Sequence, residues 1–220
     1  ADFIPPADFL HRVLPDLVRA PDVGMVQARW AHLNRSESLL TRAQAVLLDG
    51  HFVMEHGARA RSGRFFNFNG TAGVWRRQAI EDAGGWEHDT LVEDLDLSYR
   101  AQLAGWRFVY RQDVAVPAEL PEDARAFKSQ QHRWAKGSIQ AAGKLLGRIW
   151  RSDIRLAQKV EATFHMGNNL AYPLMVALLV LLPLALHFRV RGSLLAGLAV
   201  DLPIFVFATL NLAIFYALSE

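Results

Sequence analysis

Two apolar stretches near the C-terminus constrain what this 220-residue chain can fold into more than any other feature. The stretches at about 169–188 and 194–218 are almost free of charge, and each has the length that a helix needs to cross a bilayer. A buried helical hairpin in a soluble protein is the alternative, but the length and the lack of charge favour two transmembrane helices. Asp201 lies in the second stretch and is expected to face other helices or a transport pathway, because a charge is costly in lipid.

The distribution of basic residues predicts which side of the membrane holds the rest of the chain. Bases concentrate between Lys128 and Lys159, just ahead of the first span, whereas the connection between the spans carries Arg189 and Arg191. Because segments rich in lysine and arginine remain in the cytoplasm, we expect residues 1–160 on the cytoplasmic side of a plasma (inner) membrane.

An amphipathic pattern precedes the first span and predicts a helix that lies in the headgroup region of the lipid bilayer. Its apolar residues recur at helical spacing: Ile139, Ala142, Leu146, Ile149 and Trp150. Basic residues flank that stripe: Lys136, Lys144, Arg148 and Arg151. An interface with a partner helix is the alternative.

Composition narrows the chemistry that the chain can perform. Cysteine is absent, which excludes disulfides, thiolate zinc sites and cysteine nucleophiles. An apolar fraction of 51% suits a buried core, and the formal charge of +2 gives no reason to expect a nucleic-acid partner. The chain opens without Met on a patterned segment, so we expect that an upstream part of the protein precedes it.

Strand-like and helical patterns alternate upstream of the spans and predict a mixed α/β layer structure over residues 1–116. Two segments are expected as strands: Val23–Trp30 and Trp106–Val116. Five segments are expected as helices: a short one that follows Asp8 within residues 1–20, and 36–55, 78–83, Val92–Ala104 and Ala124–Trp150. Asp8 and Ser36 are expected as N-caps, and Gly57–Gly63 is expected as a loop.

An acidic cluster opens one of these helices and is a candidate catalytic group. It comprises Glu93, Asp94 and Asp96. Acidic residues are common in a first helical turn because the helix dipole favours them, but a carboxylate near other carboxylates also acquires the raised pKa of a general base. Glu93 and Asp94 are adjacent on one helix and point apart, so they cannot flank a glycosidic bond as the two carboxylates of a hydrolase do.

A second cluster follows about 35 residues later, in the sequence Gln130-Gln131-His132-Arg133-Trp134. The spacing puts Gln130, Arg133 and Trp134 on one helical face. Arginine is a strong phosphate ligand, and tryptophan offers a flat surface for a sugar. Ordinary packing and solvation is the alternative. Between the predicted helices, the small residues of the Phe65–Arg77 segment either let a ligand approach the backbone or form a plain connection.

These motifs together resemble those of the processive family 2 glycosyltransferases. Val92-Glu93-Asp94 resembles their T-E-D motif, Gln130–Trp134 matches Q-x-x-R-W, and Ala1-Asp2-Phe3 looks like the tail of a metal-binding D-x-D. Phe66–Arg77 and Ala83–Trp86 are similar to segments of the cellulose synthase-like mannan synthases. The similarity spans roughly residues 1–145. Two departures are Val92 in place of Thr and the lack of an F-x-V-T-x-K segment after the first span.

The resemblance implies an architecture of three parts. Residues 1–122 would be the C-terminal part of a GT-A-type (Rossmann-like) α/β catalytic domain. Residues 123–160 would hold the Q-x-x-R-W and interfacial helices. Residues 161–220 would be a membrane region with two transmembrane helices.

The resemblance also implies an inverting β-hexosyltransferase, of class EC 2.4. It would transfer a hexose from a nucleotide-diphosphate sugar, GDP-mannose or UDP-glucose, to a growing mannan- or glucan-type polysaccharide. Transfer of a single sugar to a lipid acceptor is one alternative, and a non-catalytic carbohydrate-binding membrane module is another.

Residue roles follow from the same resemblance. Asp94 would be the general base, and Asp2 would bind a divalent metal, Mg²⁺ or Mn²⁺. The residues expected to bind the diphosphate and the acceptor sugar are Gln130, His132, Arg133 and Trp134. Those expected on the acceptor side are Asn69, Gly70, Thr71 and Trp86.

Overall fold

A small sheet organises the N-terminal half of the protein in the computed structural model, which describes residues 3–190 and 194–219, with side chains left out at 184–190 and 194–200. Its strands are β1 (Val23–His32), β2 (Gly73–Trp75) and β3 (Arg107–Ala118), in the order β2-β1-β3. β1 runs antiparallel to β2 and parallel to β3. Both predicted strands are confirmed, and the three-residue β2 was not predicted.

Helices surround this sheet and continue to the C-terminus. Those of the first half are α1 (Phe9–Arg19), α2 (Leu39–Asp49), α3 (Gly57–Arg61), α4 (Arg77–Asp82) and α5 (Glu93–Leu103). Those of the second half are α6 (Ala124–Arg151), α7 (Leu156–Gly167), α8 (Ala171–Val190) and α9 (Leu194–Ser219). A π-helical segment, Gly50–His56, joins α2 to α3, and a 3₁₀ turn, Asn168–Leu170, joins α7 to α8.

The predicted caps are corrected by the backbone geometry. Ser38, not Ser36, begins α2: its hydroxyl accepts a hydrogen bond from the Thr41 N–H at 3.0 Å, and the Thr41 hydroxyl accepts one from the Ser38 N–H at 3.0 Å. Asp8 occupies the N-cap position of α1, as predicted, but its side chain makes no capping hydrogen bond.

The loop predicted at Gly57–Gly63 is wrong, because the helix that starts at α2 continues through the π-helical segment into α3. A π-helix departs from the usual i→i−4 pairing of backbone groups. The hydroxyl of Tyr110 in β3 donates to the Phe52 carbonyl at 2.8 Å, which ties this irregular segment to the sheet.

The two faces of the sheet bury different helices, as the alternation of side chains along a strand requires. On one face, α1 packs against the sheet through Phe9, Val13, Leu17, Val26 and Val116. On the other, α5 packs through Leu97 and Ala101 against Met25 and Phe108. This packing fixes the position of α5, including its acidic N-terminal turn, relative to the sheet.

A second apolar cluster joins α5 to the two helices that follow β3. It contains Leu95 and Tyr99 of α5, Ala141, Leu145 and Ile149 of α6, and Ala162 and Met166 of α7. Ala142 and Leu146 pack against this cluster, whereas Ile139 and Trp150 remain about half exposed at 48% and 47%. Most of the stripe predicted to lie in the headgroup region therefore packs within the protein, which is the partner-helix alternative.

A buried ion cluster lies between α5 and α6. Asp96 is fully buried, and its Oδ2 receives the Arg100 Nε–H at 2.8 Å. Lys144 Nζ lies 3.1 Å from Asp96 Oδ1 and 2.7 Å from Asp89 Oδ1, and it also contacts Glu87. The charge of Asp96 is thus balanced inside the protein by two cations.

The C-terminal helices have the length and composition to cross a membrane. The two helical runs are Leu156–Pro183 and Asp201–Ser219. An 18-residue window within each has a mean hydropathy of 1.5 and 1.9, respectively, and is 6% buried. The first run begins ahead of the predicted span at about 169, because α7 and α8 are nearly continuous. The end of α9 returns to the α/β layer, where Phe215 and Tyr216 lie against Gly50.

We expect Asp96→Asn to lower the free energy of unfolding by about 3 kcal/mol, because it leaves Arg100 and Lys144 without their buried counter-ion. A thermal unfolding curve in detergent measures this as a lower Tm. The matched control is Glu81→Gln, which breaks an ion pair whose side chains are 91% and 49% exposed and should cost less than about 0.5 kcal/mol. An unchanged Tm combined with lost activity would move Asp96 from the packing to the active site.

Candidate active site

A cavity of about 310 Å³ opens between the helical run from α2 to the π-helical segment on one side and α5 and α6 on the other. Its wall brings together residues from six parts of the chain. They include Trp30, His51, Phe52, Asn67, Asn69, Asp94, Phe127, Gln130, Gln131, Trp134, Ser138, His165 and Asn169.

Asp94 is the acidic residue of this wall among the residues that the structure describes. It lies in the first turn of α5, where its Oδ1 accepts the Leu95 N–H at 2.8 Å. Burial raises the pKa of Asp94 to about 6, the Leu95 N–H opposes that shift, and the charge of Glu93 adds to it. Burial is thus the main cause, rather than the neighbouring carboxylates that the sequence suggested. A carboxyl with a pKa near 6 is suited to accept a proton at neutral pH.

The loop before β2 is pinned against Asp94 from two sides. The Phe68 N–H donates to the Ser98 hydroxyl of α5 at 2.8 Å, and the Asn69 N–H donates to Gln27 Oε1 of β1 at 3.1 Å. Gly70 has φ +74°, and a Cβ there would lie 3.2 Å from Asp94 Oδ2. Glycine therefore serves both the backbone conformation and the approach to the carboxylate.

The structure brings Gln130 and Trp134 to the cavity, together with Gln131, but not Arg133 or His132. At about 100° per residue, Arg133 lies roughly 115° from the centre of the face that Phe127, Gln130, Gln131, Trp134 and Ser138 present to the cavity. Arg133 is exposed and donates to the Ser129 hydroxyl at 3.1 Å. The three residues share a broad face of α6, as predicted, but only Gln130 and Trp134 of the three line the cavity.

Five other predicted site residues do not line the cavity, and one of them is Gly70, which lies next to Asp94. Asp96 is enclosed in the ion cluster with Arg100 and Lys144. Thr71 turns its carbonyl to Gln27 Nε2 at 3.0 Å, and Trp86 is 48% exposed with its ring centroid 6.2 Å from that of Trp75. Glu93 is exposed beside Asp94, and Asp2 lies outside the described residues.

The carboxylates of the described residues do not by themselves fit a divalent metal. Those close enough together, with ligand atoms within 4.8 Å of one another, are Glu87, Asp89 and Asp96. The Lys144 ammonium lies among them, at 2.7 Å from Asp89 Oδ1, and would repel a second cation. The wall of the cavity contributes Asp94 alone, so a metal site there would need ligands such as Asp2.

Sequence reasoning missed Trp30, His51, Asn67 and His165, which all line the cavity. Trp30 ends a buried strand, and the two histidines lie in helices whose patterns read as packing, so no local signal separates them from core residues. The indole Nε1 of Trp30 and the Oδ1 atoms of Asn67 and Asn69 are buried without a hydrogen-bond partner among the described residues. Such atoms are available to a ligand with hydroxyl groups.

Comparison with known proteins identifies the family to which the chain is similar. The family model for glycosyl transferase family group 2 matches residues 1–219. The chain is 50% identical over 166 residues to glucomannan 4-beta-mannosyltransferase 1 of Oryza sativa subsp. japonica and 47% identical over 165 residues to glucomannan 4-beta-mannosyltransferase 2 of Arabidopsis thaliana. These matches cover 75% and 74% of this chain and 32% and 31% of the relatives. The chain therefore spans about a third of the length of the curated relatives it matches.

A solved structure carries the same fold. The mannosyltransferase PcManGT from Pyrobaculum calidifontis, in complex with GDP-Man and Mn2+, aligns with a TM-score of 0.55 at 20% identity. The alignment covers 98% of this chain and 59% of PcManGT. At that identity the likeness concerns the fold, and it confirms the expected GT-A-type α/β domain followed by helices. With a family model that extends along nearly the whole chain, the predicted family is confirmed: the chain belongs to glycosyl transferase family group 2.

Proposed function

We propose that the complete protein transfers a hexose from a nucleotide-diphosphate sugar to the end of a growing β-linked polysaccharide, with Asp94 as the general base. The observation that carries the proposal is the shared cavity of Asp94, Gln130 and Trp134. It combines a proton acceptor of raised pKa with an amide and an aromatic ring, which suit a sugar ring and its hydroxyls.

The chemistry assigned to the cavity is one displacement. The acceptor hydroxyl gives its proton to Asp94 as its oxygen forms a bond to C1 of the donor hexose. The bond from C1 to the diphosphate breaks, the nucleoside diphosphate leaves with the electron pair, and the anomeric centre inverts. Gln130 and Trp134 hold the acceptor sugar near Asp94, Asn69 lines the same cavity, and Gly70 lies next to the Asp94 carboxylate.

GDP-mannose is the donor that we propose first, because the relatives are named as mannosyltransferases and PcManGT holds GDP-Man. UDP-glucose is the competing donor. Arg133 and His132 lie on the exposed side of α6 next to Trp134. We assign them to the diphosphate, which can extend beyond the cavity that holds the sugar.

A divalent cation, Mg²⁺ or Mn²⁺, is part of the proposal. Phe3 pairs with Ala118, and its ring centroid lies 4.7 Å from that of Trp30 on the cavity wall. Asp2 is the neighbour of Phe3 in the sequence and is proposed as a ligand, and Mn2+ is present in the PcManGT complex. Such an ion would neutralise charge on the leaving diphosphate.

We also propose that the protein is a multi-pass protein of the plasma (inner) membrane, with α8 and α9 as transmembrane helices and the cavity on the cytoplasmic side. The proposed parts remain the catalytic domain (1–122), the Q-x-x-R-W region (123–160) and the membrane region (161–220). Because α7 packs on α6, the second part extends structurally to the end of α7 at Gly167.

Asp94→Asn is expected to lower the rate of polymer formation by about 10²–10⁴-fold, since the amide cannot accept the proton. Membranes that carry the complete protein are incubated with radiolabelled GDP-mannose or UDP-glucose, and the products are sized. Glu93→Gln is the matched control, because Glu93 is exposed next to Asp94, and it should change the rate less than about threefold. Unchanged polymer yield with Asp94→Asn would favour a non-catalytic module, and a glycolipid carrying one sugar would favour transfer to lipid.

The pH profile of the wild-type rate should rise through about pH 6, where Asp94 loses its proton. Because the charge of Glu93 contributes to the raised pKa, Glu93→Gln should move this limb to lower pH. Because folding raises the pKa of Asp94 from 3.8 to about 6, the free energy of unfolding of the protein should fall as the pH rises through this range. Asp94→Asn should remove the corresponding fall in Tm. A pH–rate profile of the wild-type protein that rises near pH 4 would exclude Asp94 as the base.

Chelation by EDTA should abolish transfer in the wild-type protein, and added Mn²⁺ or Mg²⁺ should restore it. Asp2→Asn should require a higher concentration of the ion for half-maximal rate, because one oxygen ligand is weakened. The control is Asp8→Asn, a change at the N-cap of α1 whose side chain makes no capping bond. Full activity of metal-stripped membranes would contradict the assignment.

A further inference from the structure

We propose that His51 and His165 bind hydroxyl groups of the acceptor sugar, one as a hydrogen-bond acceptor and the other as a donor. Both histidines line the cavity that holds Asp94. The inference rests on the proposed transferase function and concerns how the same cavity selects its acceptor. It depends on the side chains that contact the Nδ1 atom of each imidazole, Glu55 for His51 and Tyr99 for His165.

His51 is held as a hydrogen-bond acceptor. Its Nδ1 lies 3.1 Å from Glu55 Oε2, one turn further along the π-helical segment. Burial raises the pKa of Glu55, but its hydrogen bonds to His51 and Arg59 and the charge of Arg59 help to leave it below its ordinary value, so Glu55 is ionised and can only accept. In the neutral form of His51 the ring proton therefore lies on Nδ1, and Nε2 keeps its lone pair.

The π-helical segment fixes the place of His51 on the wall. Tyr110 donates to the Phe52 carbonyl at 2.8 Å, and a Cβ on Gly50 would lie 2.8 Å from Phe215 Cε1 of α9. The residues on both sides of His51 are thus constrained by β3 and by the C-terminal helix. Single stretches of π-helix are frequent at functional sites, where they redirect a side chain.

His165, by contrast, is held as a hydrogen-bond donor. The Tyr99 hydroxyl, on a side chain with 0% exposure, lies 2.7 Å from His165 Nδ1. A buried hydroxyl is costly if it does not donate, and His165 is the partner that the described residues offer it. Tyr99 therefore donates to Nδ1, so the proton of the neutral ring lies on Nε2, where it can donate to a ligand.

Because His51 offers a hydrogen-bond acceptor and His165 a donor, the two side chains together can distinguish hexoses by the arrangement of their hydroxyls. A hydroxyl that meets His51 must donate, and one that meets His165 must accept. The unpartnered Trp30 Nε1 and Asn69 Oδ1 on the same wall add a further donor and acceptor. The hydroxyls of a terminal hexose supply both kinds of partner, and a sugar that lacks one of these hydroxyls leaves a polar group of the wall unpaired.

The experiment measures acceptor affinity and turnover separately in the complete protein. Binding of β-linked mannan and glucan oligosaccharides is measured by calorimetry in an Asp94→Asn background, where turnover is blocked, and acceptor KM and kcat are measured with Asp94 intact. His51→Ala and His165→Ala should each weaken binding and raise the acceptor KM about tenfold, as expected for loss of one hydrogen bond to a sugar hydroxyl. The change in kcat and in donor KM should be below about threefold.

Two partner variants separate binding from packing. Glu55→Gln and Tyr99→Phe keep both imidazoles but release the proton position, so each should raise the acceptor KM by a smaller factor, about threefold. His11→Ala is the control, because His11 is exposed on α1 and away from the cavity. Thermal unfolding shows whether each variant is folded. Glu55→Gln should disturb folding least, because the Glu55 side chain is 45% exposed to solvent.

The outcomes are distinguishable from those that test the general base. Unchanged oligosaccharide affinity in folded His51→Ala and His165→Ala proteins would overturn the inference while leaving the transferase function intact. An equal loss of kcat and of donor and acceptor affinity would also overturn it, because that pattern indicates a structural role. Turnover that survives in Asp94→Asn would instead contradict the proposed function.

Discussion

The geometry of the site depends on the close contact between α6 and the residues just before the N-terminus of α5. A Cβ on Gly137 would lie 2.5 Å from Val92 Cγ1 and 3.2 Å from the Leu91 carbonyl carbon, so only a glycine allows α6 to come this near. Gln140 Oε1 accepts the Leu91 N–H at 3.1 Å and fixes the same approach. One turn before Gly137, α6 presents Trp134 to the cavity of Asp94. The packing of two helices thereby sets the spacing between the proton acceptor and the sugar platform.

Two aspartates on α5 illustrate how environment assigns different roles to the same side chain. Asp96 is buried between Arg100 and Lys144, so its charge is compensated and it joins α5 to α6. Asp94 is half-buried without an ion pair among the described residues, and burial raises its pKa to about 6. A compensated carboxylate stabilises the fold, whereas an uncompensated one is available for proton transfer.

Local patterns in the sequence were sufficient for the elements and for part of the site. Runs of β-branched and apolar residues predicted β1 and β3, and helical spacing predicted α5 and α6. The motifs also located Asp94, Gln130 and Trp134. They did not show that Arg133 lies outside the cavity, because a helical face is wider than the wall of a cavity, or that Asp96 is enclosed in an ion cluster, because a charge balance between two helices is a tertiary property. His165 carries no local signal, since its partner Tyr99 lies 66 residues away in the sequence, and the i,i+4 pair of His51 and Glu55 does not by itself distinguish a site from a surface ion pair.

The most direct test is an electron cryomicroscopy map of the complete protein with the Asp94→Asn substitution, prepared with donor and a short β-linked oligosaccharide. The account predicts density for the terminal acceptor sugar stacked on Trp134, with one hydroxyl about 2.6–3.2 Å from the side chain at position 94. Sugar density in another compartment, with the cavity between α5 and α6 filled by side chains, would contradict it.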